Sequence, residues 1–174
     1  MATSEDARAQ LVGELLLAHR FTLAVADAAS AGRLADVITD IPGGSAYFLG
    51  GIVPYDNASK TRLLGVPEAL LSAHGAVSPE VAEAMARSVR DAFRADIGLA
   101  STGMLGPSGG TAEKPAGLAW LAIVGPTARV RVATSPPTTA ATPTRPLSST
   151  SRCRWSSTML RNRMLPIRST AWYD

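Results

Sequence analysis

Three short stretches hold the residues able to do chemistry. In "YDNASK", Tyr55 to Lys60, a tyrosine stands at the end of an apolar run and a lysine one turn into the following helix. A lysine held among apolar neighbours gives up its proton more readily, because burial disfavours the charged form. It then serves as a general base, with the tyrosine hydroxyl as proton relay or donor. Taken alone, the same spacing more often describes a solvated lysine beside a core-edge tyrosine.

In "STGMLGPSGGT", Ser101 to Thr111, glycines at 103, 106, 109 and 110 allow backbone N–H groups to converge on an anion. Thr102, Ser108 and Thr111 offer hydroxyls beside them. The stretch lacks the Gly-Lys-Ser/Thr ending of a P-loop, and a strand rather than a helix follows it, so it is not a dinucleotide fingerprint. A flexible connector is the competing reading. In "LAVADAASAGRLADV", Leu23 to Val37, a strand passes through small residues into a helix, whose N-terminal N–H groups suit a phosphate or an oxyanion. Ser30 is the one hydroxyl between Asp27 and the helix, and a plain N-cap is its commoner role. Ala28 and Ala29 at the centre can do no chemistry.

The elements that must position these stretches follow from pattern. Residues 4–20 predict a helix with Ser4 as N-cap, acids in the first turn and Leu11, Val12, Leu15 and Leu16 in one stripe. Residues 21–27 predict a buried strand, 31–39 a short helix, and Phe48 to Tyr55 a strand. Asn57 to Leu64 predicts a second short helix, and Pro67 opens another. Ser78 caps a long helix with Pro79 at its first position. Residues 96–102, 116–125 and 128–134 predict three further strands. Alternating strands and helices imply an α/β domain with a mostly parallel sheet covered on both faces. Ligands of such sheets bind beyond the carboxyl ends of the strands, where all three stretches lie.

Composition narrows the function classes. Of 174 residues, 46% are hydrophobic and 18% charged, which suits one domain with a substantial core. Cys153 is a lone cysteine, and His19 and His74 are the two histidines, so neither a disulfide nor a zinc site is expected. Glu5 and Asp6 stand where a signal peptide needs basic residues, and no apolar run approaches membrane-spanning length. The expected compartment is the cytoplasm. The formal charge of +3 is unevenly spread: residues 135–174 hold six Arg and one acid, leaving −2 for residues 1–134. A nucleic-acid footprint belongs on a folded face, so nucleic acid is not an expected partner. Ser, Thr, Pro and Arg fill 25 of those last 40 positions without a period of 2 or 3.6. The chain thus divides into a patterned domain, 1–134, and a low-complexity tail, 135–174. The tail reads either as natural disorder or as the product of a shifted reading frame, the preferred reading.

Together the stretches resemble a known family. "LAVADAASAGRLA", "IPGGSAYFLGGIVPYDNASK", "LLGVPEALLSAHGAVSPEVAEAMA" and "STGMLGPSGGTAEKPAGLAW" are similar to the C-terminal domain of the competence/damage-inducible protein CinA, found also as a stand-alone nicotinamide mononucleotide deamidase. The resemblance runs from about Leu11 to Val124. It implies a three-layer α/β/α sandwich and hydrolysis of the carboxamide of nicotinamide mononucleotide, giving nicotinic acid mononucleotide and ammonia in pyridine-nucleotide salvage. It implies a serine nucleophile activated by a lysine, without a metal or cofactor, and a homo-oligomer is compatible with it. Lys60 and Tyr55 match the family's lysine and tyrosine. Thr102, Gly103, Gly106, Gly109 and Gly110 match its substrate-binding loop, with Gly32 and Asn57 as further substrate-binding candidates.

The departure lies in "ADAASAG", residues 26–32, where the family reads A-E-S-C-T-G-G. Asp27 takes the glutamate position, Ala28 the position of the nucleophilic serine, and Ser30 that of the threonine. Ser30 is the remaining candidate nucleophile, two positions along. An impaired amidohydrolase and a non-catalytic nucleotide-binding relative are therefore both open. The family's final helix, which packs on the sheet, also finds no counterpart pattern past Thr134. Limited proteolysis is expected to trim residues 135–174 before the body, followed by mass spectrometry; a protease-resistant tail would contradict the division.

Overall fold

A strand buried on both faces sends alternate side chains into two different cores. In β1 (Leu23–Asp27), Leu23 and Val25 join one apolar cluster, and Ala24 and Ala26 the other. β3 (Ile97–Gly103) repeats this with Ile97 and Leu99 against Ala100. β4 (Ala119–Val124) does so with Leu121 and Ile123 against Ala122 and Val124. With β2 (Phe48–Ile52) and β5 (Arg129–Thr134), these strands form one sheet in the order β2-β1-β3-β4-β5. β1 runs parallel to β2 and β3, whereas β4 and β5 add an antiparallel flank. The computed structural model describes residues 4–105, 111, 113–127 and 129–134. Gly106, Gly109, Gly110 and the tail, with the readings made for them, lie outside the described residues.

Helices cover both faces. α1 (Ser4–His19) and α2 (Arg33–Thr39) supply Leu16, Leu34 and Ile38 to the core that takes Leu23 and Val25. On the other face, α3 (Asn57–Leu64), α4 (Glu68–His74) and α5 (Pro79–Phe93) pack on the alanines, with Leu64, Val81, Met85 and Val89 buried among them. The result is the expected three-layer α/β/α arrangement. The small residues under α5 have a steric reason. A Cβ on Gly98 would fall on the Ala86 carbonyl oxygen and stand 2.7 Å from Arg90 Cβ, and one on Gly50 would stand 2.7 Å from a Phe93 ring carbon. α5 thus lies close against the sheet. It starts as expected, with Ser78 Oγ accepting from Val81 N–H at 3.3 Å and Pro79 in the first turn.

Two boundaries differ from the sequence expectation. β2 ends at Ile52 rather than near Tyr55, because Pro54 has no N–H to offer a ladder and the carbonyls of residues 54–56 turn toward Lys60. α2 starts at Arg33 rather than Ala31, because Ala31 (φ 55°) and Gly32 (φ 107°) are in left-handed conformations incompatible with a helix. Among the described residues no helix is long and apolar enough to cross a membrane. Because helix backbone cannot yield at Gly98, Gly98→Ala is expected to destabilise the fold by about 3 kcal/mol, read as a lower urea midpoint with an unchanged m-value.

Candidate functional site

The carboxyl ends of β1, β2 and β3 lie side by side, because these three strands are parallel. Each leads into one of the stretches singled out above. A Cβ placed on Gly32 would stand 3.6 Å from Val53 Cγ2, so the β1–α2 and β2–α3 loops touch. Thr102 Oγ1 donates to the Ala76 carbonyl at 2.7 Å and Lys114 Nζ to the His74 carbonyl at 2.7 Å. These two bonds hold both ends of the glycine-rich connection against the α4–α5 turn.

Asp27 organises the first loop. Its side chain is 1% exposed, and a buried carboxylate requires donors. Oδ1 accepts from Ser30 N–H at 3.0 Å and from the Ser101 hydroxyl; Oδ2 accepts from Ser30 Oγ at 2.5 Å, Gly32 N–H at 3.0 Å and Leu34 N–H at 3.1 Å. Burial alone would raise its pKa, but the bonds from Ser101, Ser30 and Leu34 outweigh that and hold the carboxyl below its ordinary value. The N-cap residue of α2 is Gly32, which makes no side-chain cap bond. Ser30 is therefore not the N-cap that its type and position predict; its hydroxyl lies on Asp27. The loop N–H groups expected to receive an anion are largely used as well: those of Ser30, Gly32 and Leu34 go to Asp27, and that of Ala29 goes to Ser101 Oγ at 3.2 Å.

Lys60 is buried, with 2% exposure. It sits on α3, whose two buried residues, Lys60 and Leu64, are one turn apart and share a face. Asp56 caps that helix by accepting from Ser59 N–H at 2.7 Å, and Gly65 ends it in a left-handed conformation. Lys60 Nζ donates to the carbonyls of Pro54, Tyr55 and Asp56 at 3.0, 3.1 and 3.4 Å. Three acceptors match the three N–H bonds of an ammonium. Burial nonetheless draws the pKa below the ordinary lysine value, with the Asp56 carboxylate opposing it. Ala28, 8% exposed, belongs to the apolar cluster that also takes Leu64 and Val66. Residue 28 and the buried face of α3 therefore occupy the same layer, and Asp27 points into the opposite one.

The other sequence candidates are placed as follows. Tyr55 is 75% exposed, and its hydroxyl has no hydrogen-bond partner among the described residues. Asn57 is exposed at the first position of α3. Thr102 is buried, with its hydroxyl on Ala76. Gly103 lies within β3, where a Cβ would stand 2.7 Å from Ala119 Cβ, so close strand approach accounts for that glycine. Among the described residues no group of three or more His, Cys, Asp or Glu could hold a metal. Sequence reasoning did not single out Ser101 as the partner of Asp27. The available signal was a pair of polar residues at the ends of two otherwise apolar strands.

With this geometry in hand, the comparisons with known proteins agree on one family. The CinA C-terminal domain model matches residues 5–140. The chain is 52% identical over 121 residues to a putative competence-damage inducible protein of Moorella thermoacetica, covering 70% of this chain and 29% of that protein. It is 50% identical over 117 residues to a CinA-like protein of Desulfotalea psychrophila, covering 67% and 28%. The chain thus spans less than a third of the length of these curated relatives. Among solved structures, the competence/damage inducible protein CihA of Agrobacterium tumefaciens matches with a TM-score of 0.73 at 31% identity, covering 76% of this chain and 81% of that one. A CinA superfamily protein of Escherichia coli matches with a TM-score of 0.71 at 26% identity, covering 77% and 80%.

Asp27 also gives the fold an acid sensitivity. Because its folded pKa lies below the unfolded value of about 3.9, its stabilisation is complete above that pH and is lost as pH falls through the folded value. Asp27→Asn is expected to cost about 2–4 kcal/mol at pH 7, since an amide cannot accept all five bonds. Between about pH 4 and pH 2 the variant should lose less further stability than the parent. Urea titrations at pH 7, 4 and 3 check both statements.

Proposed function

The chain belongs to the CinA C-terminal-domain family, and we propose that it is a nicotinamide mononucleotide amidohydrolase-like domain whose nucleophile position is filled by Ala28. The observation that carries the reading is Lys60, buried at the carboxyl end of the parallel strands and in the layer that receives the side chain of residue 28. A solvated structural lysine would have its ammonium in water. This one has a lowered pKa, as a general base requires.

With a serine at 28, the chemistry is direct. Lys60 takes the hydroxyl proton as the oxygen attacks the carboxamide carbon of the nucleotide. The tetrahedral intermediate collapses, the proton returns to the leaving nitrogen, and ammonia departs. Water then hydrolyses the acyl-enzyme to nicotinic acid mononucleotide. Tyr55, which is exposed, is the proposed proton relay. Gly32, Asn57, Thr102, Gly103, Gly106, Gly109 and Gly110 belong to the proposed substrate-binding surround. The reading needs no cofactor or metal, places the protein in the cytoplasm in pyridine-nucleotide salvage, and allows a homo-oligomer.

Ala28 removes the step on which this sequence depends, and loss of a nucleophile lowers rates by orders of magnitude. Ser30 is poorly placed to replace it, since its hydroxyl is bonded to Asp27 and residue 27's layer is not that of Lys60. A non-catalytic nucleotide-binding protein is the second reading. The ammonium of Lys60, satisfied by three carbonyls, favours it.

The chain is expected to release negligible ammonia from nicotinamide mononucleotide, and Ala28→Ser to raise the rate at least about a hundredfold. The rate of Ala28→Ser should climb with pH through a pKa below the ordinary lysine value of 10.5, as Lys60 becomes neutral. Lys60→Met in that background, checked for folding by thermal melting, should abolish it. The same variants would be made in a chain carrying the Agrobacterium protein's residues beyond Thr134. Parent activity lost in Ser30→Ala would make Ser30 the nucleophile. No activity from Ala28→Ser in either well-folded chain would favour the binding reading.

A further inference from the structure

Ser101 breaks the apolar pattern of β3. On the face toward α1 and α2 that strand presents Ile97 and Leu99, and two residues on comes a serine that is 1% exposed. It stands in register with Asp27 on the parallel neighbour. It holds the start of the β1–α2 loop three times. Its carbonyl accepts from Ala28 N–H at 3.0 Å, its hydroxyl oxygen accepts from Ala29 N–H at 3.2 Å, and its hydroxyl proton goes to Asp27 Oδ1. The peptide that leaves residue 28 is thereby fixed at both flanking nitrogens by one residue of β3. An apolar residue in place of Ser101 would leave the part-buried Ala29 N–H without its acceptor.

We infer that Ser101 is a positioning residue, which through the Ala29 amide and the Asp27 carboxylate fixes residue 28 against the end of β3. Its consequence for catalysis rests on the amidohydrolase reading above, in which residue 28 is the nucleophile position. The role is separable from folding. Without the Ser101 hydroxyl, Asp27 keeps the donors Ser30, Gly32 and Leu34, and Ala28 N–H keeps the Ser101 carbonyl. What is released is the segment at residue 29, and with it the direction of the residue-28 side chain. Misplacement of a reacting group by about 1 Å costs on the order of a hundredfold in rate.

The test uses the full chain labelled with nitrogen-15 and reads amide hydrogen exchange by NMR. Ser101→Ala should speed exchange of Ala29 N–H at least about tenfold while leaving Ala28 N–H within about twofold, since only the former loses its acceptor. In the Ala28→Ser background, Ser101→Ala should lower kcat by about ten- to a hundredfold with KM for nicotinamide mononucleotide within about twofold. Ser101→Thr, which keeps the hydroxyl, should restore most of it. If Ser101→Ala does not fold, Ser101→Cys, whose thiol is a weak donor and acceptor, carries the same readouts. Unchanged exchange at Ala29 overturns the inference, as does an active Ala28→Ser chain whose kcat is indifferent to Ser101→Ala. An Ala28→Ser chain that releases no ammonia while Ala29 responds overturns the amidohydrolase reading and leaves Ser101 as the residue that fixes the loop.

Discussion

A carboxylate taken out of water must find donors within the protein or lose its charge, and Asp27 is a carboxylate at the end of a strand buried on both faces. That requirement shapes everything around it. The chain turns back on itself so that Ser30, Gly32 and Leu34 can offer N–H groups. Two consecutive residues accept left-handed backbone to make the turn, and one of them, Ala31, is not a glycine, a conformation that costs an alanine about 1–2 kcal/mol. The charge-assisted bonds to Asp27 are strong enough to hold it there. One buried charge, satisfied from several directions, sets the path of the loop, and Ser101 ties that charge to the next strand.

The alternation of side chains along β1 keeps this anchor apart from residue 28. Asp27 faces the α1/α2 layer, and residue 28, one step on, faces α3 and α5. A shift of one residue would exchange the two. The second buried charge, Lys60, lies in the layer of residue 28 and is neutralised by no carboxylate within salt-bridge range among the described residues. Backbone carbonyls of its own loop hold it instead. The two buried ions therefore do not pair across the sheet, and each is solvated by the segment it organises. One fixes the β1–α2 loop, and the other fixes the β2–α3 loop.

Much of this was legible in the sequence, and the part that was not has a physical cause. The helix over 57–64 and the Ser78–Pro79 start of α5 were readable because caps and proline act within a few residues. The two-faced strands were readable because Leu23, Val25, Ile97 and Leu99 alternate with small residues. The start of α2 was not, because it depends on a carboxylate seven residues before Leu34 rather than on a local cap. A Ser before a helix signals a cap only where no stronger acceptor competes for its hydroxyl, and here Asp27 does. The end of β2 was misplaced for a similar reason: the apolar run continues through Val53, but Lys60 draws the next carbonyls away from the ladder. In the site, spacing alone favoured a solvated Lys60, and its burial shows only once α3 lies on the sheet with Leu64 one turn along on the same face; the Asp27–Ser101 pairing spans 74 residues of chain and could be read only from register.

The same division explains how an alanine can stand at residue 28 without disturbing the fold. None of the bonds that set the loop involves that side chain: Ala28 contributes its N–H to Ser101 and its methyl group to an apolar cluster. A serine there would bring a hydroxyl into the same cluster, and a buried hydroxyl without a partner is destabilising. In that layer the polar group one helical turn from Leu64 is Lys60. On the reading proposed above, that lysine is the partner a serine at 28 would need, and its Nζ already donates to three carbonyls. With alanine the lysine stays with its loop and the methyl stays in the core. An alanine at 28 is thus consistent with both local networks, the five bonds to Asp27 and the three carbonyls around Lys60.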